Sequence, residues 1–142
     1  GSTSGIIFQF PLYAGIMGMV RYSGMVDIFA QGIVDMSTTF TFPFWMFITS
    51  SIVNIFVPSG GGQWAVLGPI AVKSAELIDY DVIKTSLCVA YGNTWTNMIQ
   101  PFWAIALLGI TGLKARDILG YSITIMLLSG FVFAFGVLFL PV

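Results

Sequence analysis

Two short stretches of this 142-residue chain combine amide and hydroxyl side chains with glycine and proline. The first is Asn54 followed by Pro58-Ser59-Gly60-Gly61-Gly62-Gln63-Trp64. The second is Gly92-Asn93-Thr94-Trp95-Thr96-Asn97-Met98-Ile99-Gln100-Pro101. Neither contains an acidic or a basic residue. Amides and hydroxyls can donate hydrogen bonds to an anion or offer oxygens to a hard cation, and none of them takes up a proton near neutral pH. Such sets bind and release; they do not make or break bonds. The ligands that suit them are a small carboxylate, held by neutral donors and backbone N–H groups, and a cation, held by carbonyl, hydroxyl and amide oxygens. Sodium fits those oxygens better than a proton does, although a proton acceptor elsewhere in the protein would leave H+ as an alternative coupling ion.

The rest of the composition narrows the choice further. The chain has no His and a single Cys, Cys88, and its acidic residues form no cluster, so structural zinc, a Ser/His/Asp relay and a disulfide framework lack their raw material. With no acid/base pair near either stretch, an enzyme is not expected, nor an organic cofactor. A net charge of −1 and five dispersed basic residues leave no electrostatic footprint for nucleic acid. The Pro58–Trp64 stretch is no phosphate loop, because it lacks the Lys-Ser/Thr ending and follows an apolar helix, not a strand.

The elements that must position the two stretches are apolar. Charged residues make up 8% of the chain, against roughly 25% in a soluble domain, and residues 1–20, 36–72, 85–113 and 118–142 hold none at all. Each window is long enough to enter ~30 Å of hydrocarbon as a helix, which predicts an all-α integral membrane protein. A first span is expected over about 4–20, kinked or closely packed at Pro11, Gly15 and Gly18. Residues 23–36 place Asp27, Gln31 and Asp35 on one face at i, i+4 and i+8, which predicts an amphipathic helix at the membrane interface, or else a solvated connector. Over 39–78 a membrane-length apolar helix meets the Pro-Gly cluster. The chain resumes at Ala65 and reaches Lys73 after little more than two turns, so a re-entrant helical hairpin is expected, with two ordinary spans as the competing reading. Residues 82–110 exceed the bilayer core as one straight helix, and Gly92 and Pro101 predict a discontinuous helix there, or a kinked span. An unbroken span is expected over 118–142. Lys and Arg are too evenly divided between the two sides for the positive-inside rule to orient the chain.

A hairpin and a broken helix, each beside Asn, Ser, Thr or Gln, form the pattern of a secondary transporter whose binding site lies near the bilayer midplane. A homo-oligomeric channel is a further possibility, and a structural membrane subunit without transport of its own is an alternative from another class.

Four segments also carry a family resemblance: Phe10-Pro-Leu-Tyr-Ala-Gly-Ile, Val53 to Ile70, Gly92 to Ala104, and Gly112-Leu-Lys-Ala-Arg-Asp-Ile-Leu-Gly-Tyr. Together they closely resemble the C-terminal part of the bacterial short-chain fatty acid transporter family, over nearly the whole chain. The resemblance implies a multi-pass protein of the bacterial cytoplasmic (inner) membrane that moves short-chain fatty acids or similar monocarboxylates by ion-coupled symport. It implies one of two inverted repeats, so that a missing N-terminal repeat, or a second copy, would complete the site amid membrane lipid. It places substrate and ion contacts on Asn54, Ser59, Gly60, Gly61, Gly62 and Gln63 at the hairpin tip. On the broken helix it places them on Asn93, Thr94, Thr96 and Asn97. Related second-repeat hairpins open outward, which would put Lys114 and Arg116 in the cytoplasm.

Overall fold

The computed structural model describes residues 22–57, 59–100 and 110–139, with residues 11, 12, 15, 18, 19 and 108 besides. Most of the expected 4–20 span, and the stretch 101–107 of the expected broken helix, lie outside the described residues.

Five long helices are described: α1 (Met25–Asp35), α2 (Phe42–Phe56), α3 (Gly60–Leu77), α4 (Val82–Asn97) and α5 (Ala115–Phe139). Local chemistry sets their ends. Gly24 enters α1 with φ +76°, a left-handed conformation that costs a glycine nothing. Along α1, Asp27, Gln31 and Asp35 are exposed, with Gln31 Nε2 donating to Asp35 Oδ1 at 2.8 Å, while Ala30 is buried. Thr38 and Thr41 exchange backbone-to-hydroxyl bonds before α2, which carries Pro43 in its first turn, where a missing N–H leaves no partner wanting. Asp81 caps α4 by accepting from the Lys84 N–H at 2.7 Å.

α4 lies along α2 as its principal partner, α3 packs between α1 and α4, and α5 leans on the outer side of α2 and α4. The α2–α4 seam is close because Gly92 faces Ser50: a Cβ at Gly92 would sit 2.7 Å from Ser50 Cβ and would also strike the Phe47 carbonyl. Phe47 stacks near Trp95 (5.1 Å between ring centres) and Phe133 (6.1 Å), tying α2, α4 and α5 together. At the α4–α5 contact the Trp95 ring rests on Gly130, where a Cβ would lie 2.8 Å from it, and its Nε1 donates to the Met126 carbonyl at 2.6 Å.

The breaks are narrower than the sequence predicts. The triple glycine is helical, so the interruption after α2 spans only Val57 to Ser59, and α3 runs 18 residues through Pro69. Three glycines cost a helix about 1 kcal/mol each relative to alanine. They stay helical because Ser59 caps them and the buried Gln63 pins the first turn to α2. Likewise Gly92 to Asn97 continue α4 without unwinding, and the helix stops only at Met98–Gln100, the turn before Pro101. A residue preceding proline is pushed out of the helical region, which accounts for a stop there and not at Gly92.

α5 is 25 residues long, about 37 Å, and among the described residues it alone is long and apolar enough to cross a membrane. Only 11% of its apolar window is buried. Leu127, Leu128, Phe131, Val132 and Phe135 project outward, a surface that water would not tolerate and that lipid or further protein would cover.

Candidate binding site where two helices end

The end of α2 creates an unmet need. The Asn54 carbonyl would ordinarily accept the N–H four residues on, but residue 58 is proline and has none. Gln100, from the turn that ends α4, supplies the donor: its Nε2 meets the Asn54 carbonyl at 2.7 Å. The turn that ends α4 thus completes the end of α2.

The side chain of Asn54 is fully buried and reaches across to α4, donating to the Asn93 carbonyl (3.0 Å) and Thr96 Oγ1 (3.0 Å) while accepting from Asn93 Nδ2 (2.8 Å). Thr96 Oγ1 lies 3.1 Å from both the Ser51 and Gly92 carbonyls. Gln63, at 1% exposure, enters from α3 and donates to the Ser50 carbonyl (2.6 Å) and hydroxyl (2.7 Å), and its Oε1 accepts from Asn93 Nδ2. Ser50 Oγ passes the chain on to the Val89 carbonyl at 2.5 Å. Backbone carbonyls can only accept, so they fix which way each amide points: Asn54 and Gln63 must present their NH2 groups to Asn93 O and Ser50 O. Asn93 is then oriented by both, and its Oδ1 faces Gly60, where a Cβ would lie 3.8 Å away. One acceptor, Gln100 Oε1, is buried without a hydrogen-bond partner among the described residues.

The expected site residues therefore separate into two sets. Asn54, Gln63 and Thr96 are buried in the network, and Asn93 joins it from the edge. Ser59 lies at the tip, where its hydroxyl accepts from the Gly62 N–H at 3.3 Å. Gly60 and Gly61 are exposed and Gly62 is buried. Thr94 is exposed between two hollows. One, of about 300 Å3, runs between the start of α3 and α4 and includes Gly60, Trp64, Val89 and Asn93 in its walls. The other, of about 350 Å3, lies between α4 and α5 and is lined by Thr94, Asn97, Met98, Ser122 and Ile125. Asn97 thus lines the hollow on the α5 side.

Ser50 is the member that motif reading alone passes over, while Gln100 falls within the second stretch but outside the contacts expected there. The signal for Ser50 is periodicity: Phe47, Ser50, Ser51 and Asn54 recur at i, i+3, i+4 and i+7 and are all buried, so the polar stripe and the core stripe of α2 coincide. The described residues hold no group of three or more His, Cys, Asp or Glu able to bind a metal. Any cation here would depend on neutral oxygens.

Comparison with known proteins bears on this arrangement. A family profile described as "Short chain fatty acid transporter" matches residues 1–140. A protein of Escherichia coli K12 named "Putative short-chain fatty acid transporter" is 44% identical over 135 residues, 95% of this chain. One of the same name from Haemophilus influenzae Rd is 40% identical over 139 residues, 98% of the chain. The chain spans 31% of the length of each of these curated relatives. No solved structure matches it.

Proposed function

The chain belongs to the short chain fatty acid transporter family, a family of membrane proteins, and from that premise we propose that it forms one repeat of a secondary transporter for small monocarboxylates. The observation that carries this reading is the meeting of two helix ends, where Gln100 donates to the Asn54 carbonyl, inside an apolar chain. Broken helices meeting beside neutral polar side chains are how transporters hold charged substrates within a bilayer. No chemistry is performed; the protein alternates access to a fixed site.

In this reading α2 and α3, about 22 and 27 Å long, form a re-entrant hairpin whose tip stops at depth in the inner membrane. The carboxylate lies in the hollow at the start of α3, where the N–H groups of a helix N-terminus can donate to it. Asn93, whose Nδ2 is held by Asn54 and Gln63, and Thr94, whose hydroxyl donates to the Ala90 carbonyl, line the hollow and shape it. Asn54, Gln63 and Thr96 act one step back. Their hydrogen bonds are satisfied within the protein, so their role is to hold Asn93 and the tip in register. Gln100 Oε1, a buried acceptor without a hydrogen-bond partner among the described residues, supplies an oxygen for a coupling cation, and with no carboxylate or His in either stretch that cation is sodium. A partner repeat, from the same polypeptide or a second copy, closes the other side.

The test is counterflow of radiolabelled butyrate by the complete transporter in liposomes. Asn93→Ala should lower uptake at least tenfold, and replacing sodium with choline should abolish it. Undiminished uptake by Asn93→Ala, in protein inserted normally, would reduce the network to a structural clasp. Uptake that ignores sodium and collapses with the pH gradient would remove the ion assignment alone.

A further inference from the structure

The hollow between α3 and α4 has two chemically different ends. Gly60, Asn93 and Thr94 stand at its polar mouth; along α4, Ala90 and Val89 continue it for about two turns toward Ser86, and Trp64 forms the facing wall from α3. Ser86 adds little polarity, since its hydroxyl donates to the Val82 carbonyl at 2.8 Å. The Thr94 hydroxyl likewise donates to the Ala90 carbonyl at 2.9 Å, so the mouth owes its polarity to the backbone at the start of α3 and to the Asn93 amide. A carboxylate with an alkyl tail has this same division.

The position of Trp64 depends on a second residue. Its indole lies flat against α3 one turn on, over Gly68, where a Cβ would come within 3.0 Å of Cε2 and 3.1 Å of Cδ2. The absence of a side chain at residue 68 lets the ring lie back; any larger residue lifts it off α3. With 42% of its surface exposed, Trp64 is a largely apolar plate set at the edge of the hollow.

We propose that Trp64, laid back on Gly68, is the wall that sets the acyl chain length this site accepts. The proposal rests on the reading that the carboxylate binds at the start of α3. Each methylene that finds or loses an apolar wall changes affinity about fourfold, the equivalent of ~0.8 kcal/mol.

The experiment measures inhibition of butyrate uptake by unlabelled acetate, propionate, butyrate, valerate and hexanoate in the complete transporter. Trp64→Ala should raise the preference for hexanoate over butyrate at least fourfold, and Gly68→Val, by lifting the ring into the hollow, should shift preference toward acetate and propionate. Quenching of tryptophan fluorescence by 4-bromobutyrate provides a readout independent of transport. Wild-type protein should show a saturable quenched component that Trp64→Phe removes, and that component decides the matter if Trp64→Ala does not fold. An unchanged chain-length profile in Trp64→Ala, or quenching that survives in Trp64→Phe, would overturn the wall assignment. If Asn93→Ala still abolishes uptake in that case, the site stands without its selector. If Asn93→Ala transports normally, the site itself is wrong and the wall falls with it.

Discussion

α4 and α5 pack side by side on the same helix, α2, yet they do so by opposite means. α4 buries Thr85, Gly92 and Thr96 and exchanges a ladder of amide and hydroxyl bonds with α2 across a gap that admits no side chain at residue 92. α5 buries only Val137 and holds on through rings: Phe133 against Phe47, and Trp95 against the bare backbone of Gly130. Lipid tails are as apolar as leucine, so burial of apolar surface gives helices in a bilayer little reason to associate; close approach and hydrogen bonds do. The α2–α4 seam has both and forms the rigid half. The α5 contact has one close approach, at Gly130, and fewer hydrogen bonds, chiefly Trp95 Nε1 to the Met126 carbonyl, so it is the half expected to yield first.

That contrast can be broken most severely at Gly92. Gly92→Val would drive side-chain atoms into the Phe47 carbonyl and Ser50, neither of which is a flexible tip, and should destabilise the protein by about 3 kcal/mol or more. The expected outcome is loss of a monodisperse peak in detergent size-exclusion chromatography; normal elution and melting would show the seam to be looser than described.

Asn54→Ala should come next. It strips Thr96 Oγ1 and Asn93 Nδ2 of a buried partner, at about 1–3 kcal/mol for each group left unsatisfied. A double-mutant cycle with Asn93→Ala, read by thermal unfolding, should give a coupling energy of about 0.5–3 kcal/mol. Strict additivity would mean that the two amides act separately.

On the other side of the comparison, Gly130→Ala places a methyl group against the Trp95 ring and strains the Nε1 bond to the Met126 carbonyl. A loss of about 1–2 kcal/mol is expected, the low end of overpacking because the ring can shift. Its signature is faster proteolysis between α4 and α5 while the α2–α4 seam stays protected from hydrogen exchange.

Smaller still is the effect of Ser59. As a helix cap its replacement by Ala should cost about 1 kcal/mol but by Gly only a few tenths. Melting temperatures of the two variants, compared with their butyrate uptake, separate a cap from a ligand: uptake lost equally in both would give the hydroxyl a direct role. The smallest change should be Thr124→Ala on α5, within about 0.5 kcal/mol, since that exposed hydroxyl only turns back to the Gly120 carbonyl. Ser129 is a less neutral control. Besides the Met126 carbonyl it approaches Met98 Sδ at 3.7 Å, and Met98 belongs to the turn that ends α4.

Much of this was legible one residue at a time. Pro58 and Pro101 announce where helices stop, because a missing N–H and a fixed φ are properties of the residue itself. The charge-free windows announce an apolar environment, and α5 is the plain helix that its window predicts. The glycines mislead when read locally. Gly60 to Gly62 and Gly92 look like breaks but are helical, since their cost is repaid by contacts with residues far away in sequence.

The amino-acid sequence by itself thus determined the apolar helices, the two proline stops and the neutral chemistry beside them, all consequences of composition and of backbone geometry within a turn or two. Only the tertiary structure decided which polar groups meet. Asn54 finds Asn93 and Thr96 across about 40 positions of sequence, and Gln100 finds the carbonyl that Pro58 leaves unpaired. Those meetings depend on the rotation and separation of α2 and α4, which Gly92 permits and interhelical packing sets, and no local propensity encodes them.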